Sequence, residues 1–407
     1  MKTILLIGTL DTKGQEYSYV RDLIKARGHN VLMMNAGIFE ADVHADISPE
    51  EVALAGGGSL AELRENNDRG TAMSVMQKGV EALTYQLFKT GSIDGILGLG
   101  GSGGTALATA GMRTLPVGTP KVMVSTLASG DVAAYVDIND ITMMYSVVDI
   151  AGLNRLSKQI LSNAAGMISG AVEQTMPESV EKALIAATMF GVTTPCVTNI
   201  RDTLERSGYE VLIFHATGSG GRAMERLIKD GFIAGVADIT TTEWCDELVG
   251  GVLSAGPDRL KAAGELGIPQ VVSVGALDMV NFWAMDTVPG KFKDRIFYKH
   301  NENVTLMRTT VEENEELGRI IAEKLNAASG PSVLVLPLNG VSMIDAEGQP
   351  FCSPEARQVL FRALREQLND KVKLIEVDAH INDDSFADVI SRELLELLEG
   401  NNNAVHS

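Results

Sequence analysis

A glycine-rich loop is the first place in this sequence where chemistry is expected. Five glycines fall within the seven residues Gly98-Leu99-Gly100-Gly101-Ser102-Gly103-Gly104, between the apolar stretch 95–97 and the helical stretch 106–109. Closely spaced glycines let backbone N–H groups approach an anion, and the start of a helix adds partial positive charge. A tight turn alone needs only one or two glycines. We therefore predict that a phosphate or carboxylate of a cofactor binds to Gly98, Gly100, Gly101, Ser102, Gly103, Gly104 and Thr105.

This loop matches the pattern G-x-G-x-x-G, but the rest of a dinucleotide-binding fingerprint is missing. That fingerprint also needs an acidic residue at the end of the following strand, where it binds ribose hydroxyls. Here the apolar stretch 122–124 leads into Ser125 and Thr126, which we assign to the cofactor, with an ordinary turn as the alternative. NAD is therefore disfavoured. A Walker A loop is absent, because no Gly-Lys-Ser or Gly-Lys-Thr occurs.

A second group of candidate residues, Gly8 to Glu16, follows the first apolar stretch of the chain. In a parallel sheet this position lies beside the glycine loop. Lys13 would then meet a phosphate as a point charge, and Asp11 or Glu16 would hold a cation or act as a base. The alternative is that Asp11 only caps the following helix. We assign Asp11 and Lys13 to catalysis and Asp11 also to a metal ion.

Two polar segments in the second half of the chain are also candidates. Residues 217–222 follow an apolar stretch and open a helix, so they form a second predicted anion cradle, assigned to a substrate through Thr217, Gly218, Ser219, Gly220, Gly221 and Arg222. Further along, Thr241 and Thr242 are predicted substrate contacts, Glu243 a catalytic base and Asp246 a metal ligand. The alternative for this second group is a cluster that caps a helix.

The elements that must position these residues are revealed by an internal repeat. Residues 20–32 reappear without a gap as residues 200–212, and apolar anchors on both sides also correspond, among them 118–122 with 267–271. Each copy follows the order strand, helix, strand, helix, strand, which is typical of a parallel sheet with helices on both faces. The glycines of 98–103 align with the hydroxyls and carboxylates of 238–243. Such divergence at strand ends predicts one composite ligand cleft between two unlike, duplicated α/β domains.

The chain is long enough for two domains, because single cores stop growing at roughly 250–300 residues. The repeat places the boundary near Met176-Pro177, giving domains 1–176 and 177–407. The first copy has an insertion between residues 38 and 77, predicted as a helix capped by Ser48 plus a flexible arm. That insertion would be a surface elaboration, a dimer contact or a lid. From about residue 138 we predict linking helices, and near the C-terminus strands at 333–337 and 372–377 alternating with helices at 354–368 and 386–398.

Composition excludes several classes of protein. The formal charge of -19 disfavours binding to nucleic acid or to an anionic membrane, since phosphate backbones need clustered lysines and arginines. No stretch approaches the roughly 20 apolar residues that cross a membrane. Three cysteines without a C-x-x-C pair, and six histidines without close pairing, favour neither disulfides nor a zinc site. A cytoplasmic location is the expectation.

Four segments together carry a resemblance to a known family: residues 8–14, 98–105, 214–221 and 238–243. With them the chain resembles an uncharacterised bacterial and fungal family whose plant member is the N-terminal, ATP-binding domain of the tomato mosaic virus resistance protein. The resemblance implies two Rossmann-like, doubly wound subdomains, ATP with Mg²⁺ as ligand, and self-association as a dimer or larger. A barrel-type domain follows in the plant protein, so a separately encoded barrel-type partner is expected here.

The leading hypothesis is an ATP- and Mg²⁺-binding enzyme of small-molecule metabolism that uses phosphoryl or nucleotidyl chemistry. Such chemistry needs positioning and charge neutralisation more than a covalent residue. Asp11, Lys13 and Glu243 would hold the metal, clamp a phosphate and act as base. Two alternatives stay open: a lyase, isomerase or hydrolase that acts on a phosphorylated or carboxylated metabolite without nucleotide, and a non-catalytic ligand sensor or scaffold.

Overall fold

The chain forms two compact α/β units, residues 1–178 and 179–407. The computed structural model describes residues 1–175 and 181–405, with side chains described up to residue 400. The boundary predicted at Met176-Pro177 lies outside the described residues. In the described part of the chain, no helix is both long and apolar enough to cross a membrane.

The first unit contains a five-stranded parallel sheet with the order β2-β1-β3-β4-β5. Its strands are β1 (Thr3–Gly8), β2 (Asn30–Asn35), β3 (Gly95–Gly100), β4 (Lys121–Ser125) and β5 (Thr142–Tyr145). Its helices are α1 (Leu10–Ala26), α2 (Pro49–Ala55), α3 (Leu60–Asn66), α4 (Arg69–Lys89), α5 (Ser102–Arg113), α6 (Ala133–Val136) and α7 (Arg155–Glu173).

The apolar run of β1 is explained by helices on both faces of this sheet. Ile4 and Leu6 pack with residues of α1 and α7, whereas Leu5 and Ile7 pack with residues of α2, α4 and α5. Successive side chains of a strand point to opposite faces, so a strand covered on both sides must be apolar throughout.

The inserted segment is folded onto the sheet. Ser48 accepts a hydrogen bond from the Glu51 N–H, and the Glu51 carboxylate accepts one from the Ser48 N–H, which confirms the predicted cap of α2. The predicted flexible arm is wrong, because Leu60 and Leu63 of α3 are buried in the same core as Val52 of α2. Apolar side chains at these positions pack into the core, whereas the neighbouring glycines suggested a flexible segment.

The prediction of linking helices from residue 138 is wrong in its first half. Residues 142–145 form β5, which pairs in parallel with β4, and α7 begins only at Arg155 after the cap Asn154. Met143 packs against one core of the unit and Met144 against the other. That alternation belongs to a strand, although two adjacent methionines also suit a buried helix.

The second unit contains a six-stranded parallel sheet, with the order β14-β13-β9-β8-β6-β7, and a three-stranded antiparallel sheet, β10-β12-β11. The strands are β6 (Leu184–Met189), β7 (Glu210–His215), β8 (Ile233–Thr240), β9 (Gln270–Gly275), β10 (Met279–Phe282), β11 (Phe297–Lys299), β12 (Thr305–Arg308), β13 (Ser332–Pro337) and β14 (Val372–Val377). The helices are α8 (Thr194–Arg206), α9 (Ser219–Lys229), α10 (Glu243–Val249), α11 (Ala262–Glu265), α12 (Val311–Asn326), α13 (Pro354–Gln367) and α14 (Asp384–Val405). The strands predicted at 333–337 and 372–377 and the helix predicted at 354–368 are confirmed to within one residue, whereas the helix predicted at 386–398 is longer and spans residues 384–405.

Both sheets place their first four strands in the same relative order. In each, the second strand lies at the edge beside the first, and the third and fourth follow on the other side: β2-β1-β3-β4 and β7-β6-β8-β9. An internal duplication predicts a shared order, and the duplication itself stays a prediction. Later strands differ, since β5 completes the first sheet and β13 and β14 complete the second.

Candidate functional site

A cavity of about 490 Å³ lies at the carboxyl ends of β1, β2 and β3 in the first unit. This is the edge at which open parallel sheets bind ligands, and the volume suits a small-molecule ligand. The segments that follow the three strands, including the first residues of α1 and α5, contribute Thr9, Asp11, Thr12, Lys13, Ala36, Gly37, Ile38, Phe39, Gly101, Ser102, Gly103 and Gly104. The inserted segment and α5 add Asn67, Asp68, Arg69, Ala72, Met73, Met76 and Leu107.

The glycine loop presents unused N–H groups at this cavity. The N–H of Thr105 donates to the Gly101 carbonyl over 2.8 Å and so begins the hydrogen-bond ladder of α5. Among the described residues, none accepts a hydrogen bond from the N–H groups of residues 101–104. The first N–H groups of a helix have no partner within it. These four groups are therefore available to an anion in the cavity.

An arginine from the inserted segment lies beside the same loop. Arg69 Nη2 is 3.8 Å from the point that a Cβ on Gly103 would occupy. Within the described chain, Arg69 forms neither an ion pair nor a hydrogen bond. Sequence reasoning missed Arg69. Its only local signal is Asp68, which accepts hydrogen bonds from the Gly70 and Thr71 N–H groups and thereby caps α4.

Part of the predicted cofactor set lies outside the cavity lining. A Cβ on Gly98 would come 2.4 Å from that of Ala108, and one on Gly100 would come 2.8 Å from Gly104 Cα. These two glycines therefore let α5 pack closely on β3, and neither lines the cavity. The remaining residues are held internally: Thr105 Oγ1 lies 2.7 Å from Ser125 Oγ, and the Thr126 N–H donates to the Gly100 carbonyl.

Asp11 and Lys13 both line the cavity, as the sequence led us to expect of neighbours of the glycine loop. Asp11 does not cap α1. Its Oδ2 accepts the Phe39 N–H over 3.1 Å, while its buried Oδ1 has no hydrogen-bond partner in the described structure. The Lys13 ammonium donates to the carbonyl of Ile150. Lys13 thus reaches both the cavity and the segment that precedes α7.

The second predicted anion cradle is filled by the chain itself. The N–H groups of Gly218 and Gly221 donate to Glu243 Oε1 over 2.7 and 3.0 Å, and Arg259 Nε lies 2.7 Å from Glu243 Oε2. Glu243 and Arg259 are each 1% exposed. The predicted roles of Glu243 as a base and of residues 217–222 as substrate contacts therefore need correction. This carboxylate already satisfies the groups that a substrate anion would use.

Other side chains of that segment also serve the fold. The Thr217 hydroxyl donates to the His215 carbonyl, and a Cβ on Gly220 would lie 1.8 Å from the same oxygen. Ser219 is the first residue of α9, and Arg222 lies in its first turn, where its N–H donates to the Gly218 carbonyl. The loop is thus closed by short-range contacts within the second unit.

Arg259 is shared by two further buried carboxylates. Its Nη2 lies 2.6 Å from Asp238 Oδ1, and its Nη1 lies 3.4 Å from Glu225 Oε1. Burial raises the pKa of Glu243 and of Glu225, and the charge of Arg259 opposes that rise. Buried charges need such pairing, because the loss of hydration otherwise outweighs other contacts. The cluster therefore keeps the buried charges of the second unit paired with one another.

The remaining predicted residues of the second unit are buried and internally bonded. Asp246 accepts hydrogen bonds from the backbone and the side-chain amide of Asn281, and burial raises the pKa of Asp246 to about 7. The hydroxyls of Thr241 and Thr242 donate to the carbonyls of Ser273 and Met279. The described residues contain no group of three acidic, histidine or cysteine side chains that could hold a metal ion. Asp11 and Asp246 therefore belong to no such group among the described residues, and their metal-binding role stays a prediction.

Comparisons with known proteins place the chain in a family. A UPF0261 protein of Clostridium tetani is 55% identical over 401 residues, which cover 98% of this chain and 99% of that protein. The ToMV resistance protein Tm-1(GCR237) of Solanum lycopersicum is 41% identical over 423 residues, which cover 97% of this chain and 55% of that protein. A solved structure, ADP-heptose LPS heptosyltransferase II of E. coli, matches 99% of this chain and 100% of its own with a TM-score of 0.22 and 13% identity, too distant to bear on function. Residues 2–177 match the N-terminal domain and residues 182–398 the C-terminal domain of the uncharacterised protein family UPF0261, and the chain belongs to that family.

Proposed function

We propose that the cavity of the first unit binds a phosphorylated small molecule, and that this ligand is ATP. The observation that carries the proposal is the set of four N–H groups, residues 101–104, that have no acceptor in the described chain and line a cavity of about 490 Å³. Arg69 adds an uncompensated positive charge beside them. Phosphate oxygens satisfy such donors, and a helix N-terminus favours their charge.

Mg²⁺ fits this site only as a companion of the nucleotide. Mg²⁺ usually keeps several waters and takes one or two carboxylates beside the phosphates it accompanies. Two carboxylates line the cavity, and Asp68 is already committed to capping α4. Asp11 is the carboxylate that remains, with one oxygen unpartnered in the described structure. Asp11 would therefore contribute to the metal, and the phosphates would supply the other ligands.

Phosphoryl or nucleotidyl transfer is the reaction class that these groups serve best. It relies on positioning and on neutralising phosphate charge, which the N–H groups, Arg69 and Lys13 provide. Glu243 is engaged with Arg259 in the second unit, so the role of base that the sequence assigned to Glu243 is not part of this proposal. The proposed protein is an ATP-dependent transferase or hydrolase of small-molecule metabolism.

The alternative without nucleotide uses the same groups. A phosphorylated or carboxylated metabolite would also satisfy residues 101–104, and a lyase, isomerase or hydrolase would then act on it.

The internal duplication is also part of the proposal, and it is supported by the strand order that the two sheets share. A separately encoded partner of the barrel type stays a prediction. Self-association and the ligand cleft between domains stay predictions.

Titration calorimetry of the full chain with ATP, with and without Mg²⁺, tests the proposal. We expect saturable binding that Arg69→Gln weakens roughly ten- to hundredfold, since a close charge-assisted contact to phosphate contributes about 1.5–3 kcal/mol. Lys78→Gln is the matched control. This substitution also removes one positive charge from α4, but Lys78 is exposed and lies outside the cavity. If folded protein fails to bind ATP, nucleotide binding is wrong. Equal losses in both variants would show a nonspecific charge effect and remove Arg69 from the site.

A further inference from the structure

An exposed aromatic ring stands at the wall of the candidate cavity. Phe39 lines the cavity and is 58% exposed. Its ring pairs with no other aromatic ring among the described residues. Single exposed apolar side chains are common on protein surfaces and need no explanation alone. This one differs in that it lines the same cavity as residues 101–104 and lies on a turn that the protein holds in place.

Three side chains from different elements fix the turn that carries Phe39. Asn35, which is buried at the end of β2, accepts the Gly37 N–H over 2.9 Å. Asp11 accepts the Phe39 N–H, and Arg64 of α3 donates to the Ile38 carbonyl. Each residue of the turn thus has its backbone bound by a side chain from outside the turn. The backbone that carries the ring is therefore fixed by the fold.

A ring on a backbone that is already held costs less ordering entropy when a ligand contacts it than a ring on a free loop. Flat heteroaromatic rings stack on such platforms, whatever their hydrogen-bonding edges. The remaining apolar wall, with Met73, Met76 and Leu107, offers thioether and aliphatic surface rather than a second ring. One aromatic platform and one anion cradle in a single cavity suit a ligand that has a planar ring at one end and phosphate at the other.

We infer that Phe39 is a stacking platform for the heteroaromatic ring of the ligand, so that the ligand is of the nucleotide class and not a phosphosugar or a small carboxylate. The inference rests on the proposed binding of a phosphorylated molecule in this cavity and adds its ring. Phe39 is then a specificity-determining residue. Ligands with ring and phosphate gain from it, and ligands with phosphate alone do not.

Calorimetry with two probes, ATP and inorganic tripolyphosphate, separates the ring from the phosphates. In the full chain, Phe39→Ala should weaken ATP binding roughly tenfold and leave tripolyphosphate binding unchanged. Phe39→Tyr should restore ATP binding, because it keeps the ring. Phe232→Ala is the control, since Phe232 is 44% exposed in the second unit and lies outside the cavity. Circular dichroism verifies that every variant is folded.

The possible outcomes point to different failures. Unchanged ATP binding in Phe39→Ala, with tripolyphosphate still bound, overturns the stacking role and leaves the phosphate site intact. Equal weakening of both probes also overturns it, because Phe39 would then shape the cavity and not recognise a ring. A wild-type protein that binds neither probe overturns the proposed function, and the inference with it. A loss confined to ATP and recovered by Phe39→Tyr supports the inference.

Discussion

The tetrapeptide Gly-Ser-Gly-Gly occurs at residues 101–104 and 218–221, and each copy opens a helix that follows a strand. In the second unit, the outer glycines donate their N–H groups to the buried carboxylate of Glu243. In the first unit, no described residue accepts the N–H groups of the equivalent glycines, and the loop lines a cavity. Identical residues thus build one cradle that is filled and one that is open. A motif of this kind predicts converging donors, and the rest of the fold decides what occupies them.

The two loops differ because of the residues that follow the neighbouring strand. Glu243 begins α10 just after β8, and Arg259 holds its second oxygen. In the first unit, the lining brings an arginine to the loop, while its two carboxylates are directed to other N–H groups. A carboxylate fills a buried cradle only where a cation shares its charge. The loop at residues 101–104 has a cation beside it, Arg69, but no carboxylate of the described chain accepts its N–H groups.

The largest expected effect comes from removing the cation of the filled cradle. Arg259→Met would leave Glu225, Asp238 and Glu243 buried without a counter-charge, which costs on the order of 3–5 kcal/mol. Urea unfolding followed by tryptophan fluorescence measures this directly, because Trp244 and Trp283 both belong to the second unit. Arg69→Gln in the open cradle is the control and should leave the midpoint unchanged. Equal midpoints for Arg259→Met and wild type would contradict the account of the filled cradle.

Replacement of the third residue of each tetrapeptide should separate the two loops next. A Cβ on Gly220 would lie 1.8 Å from the His215 carbonyl oxygen, so Gly220→Ala should destabilise the second unit by about 1–3 kcal/mol through forced backbone shifts. The same fluorescence-detected unfolding gives the measurement. Ligand binding in the first unit should be unaffected. Wild-type stability in Gly220→Ala would show that the second loop is looser than described.

The buried acids of the filled region should also give a pH signature. Burial raises the pKa of Asp246 from 3.8 to about 7, so the native state keeps a proton that the unfolded chain loses near pH 4. The stability that this proton contributes is present at low pH and is lost as pH rises from about 4 to about 7. Asp246→Asn lacks this titration. The difference between the unfolding free energies of wild type and variant should therefore fall with rising pH, by on the order of 1 kcal/mol per unit.

Exposed Asp294→Asn is the control for that series, measured by tryptophan fluorescence at several pH values in urea. Its difference from wild type gives the baseline for replacing an exposed aspartate by asparagine. A flat difference for Asp246→Asn would mean that Asp246 does not carry a raised pKa in the native protein.

The smallest effect on stability, and the one most specific to the open cradle, is expected from Gly103→Ala. No atom lies closer than 3.8 Å to the added Cβ, and alanine favours a helix over glycine by about 0.8–1 kcal/mol. The thermal midpoint of the chain should therefore stay level or rise. ATP binding should weaken, because the methyl group would occupy space that a phosphate needs.

Gly170→Ala provides the matched comparison for this last variant, because a Cβ there meets no atom within 4 Å and the residue lies on α7, away from the cavity. It should match Gly103→Ala in melting and match the wild type in ATP binding. Unaltered ATP affinity in Gly103→Ala would show that the loop does not hold the phosphates.

Local signals in the sequence predicted much of the fold. The cap at Ser48 and the strand 372–377 could be identified because the deciding residues lie within a few positions of each other. Met143 and Met144 misled, because a strand covered on both faces loses the alternation that distinguishes it from a helix. Hydrophobic periodicity distinguishes a strand from a helix only where one side of the element faces water.

The candidate site was predicted only in part, for a different reason. Spacing revealed the donors of residues 101–104 and their neighbours Asp11 and Lys13. It could not show that Glu243 folds back onto the second cradle, since Glu243 lies 22 residues from Gly221 and the contact depends on the packing of separate elements. Arg69 was missed because it lies in an insertion that has no counterpart in the repeat. Tertiary contacts decide whether the N–H donors of such a segment are already bound by the chain, and a local motif does not reveal those contacts.

The side-by-side packing of α4 and α5 gives the open cradle a further property. Gly103 near the start of α5 approaches Arg69 and Met73, and Gly111 near its end approaches Val80 and Thr84, so the two helices run in the same direction. Their positive dipole ends therefore repel each other at the cavity. Asp68 offsets the field of α4, and no described side chain does the same for α5. An anion bound at residues 101–104 would offset this repulsion, so ligand binding should tighten the contact between these two helices.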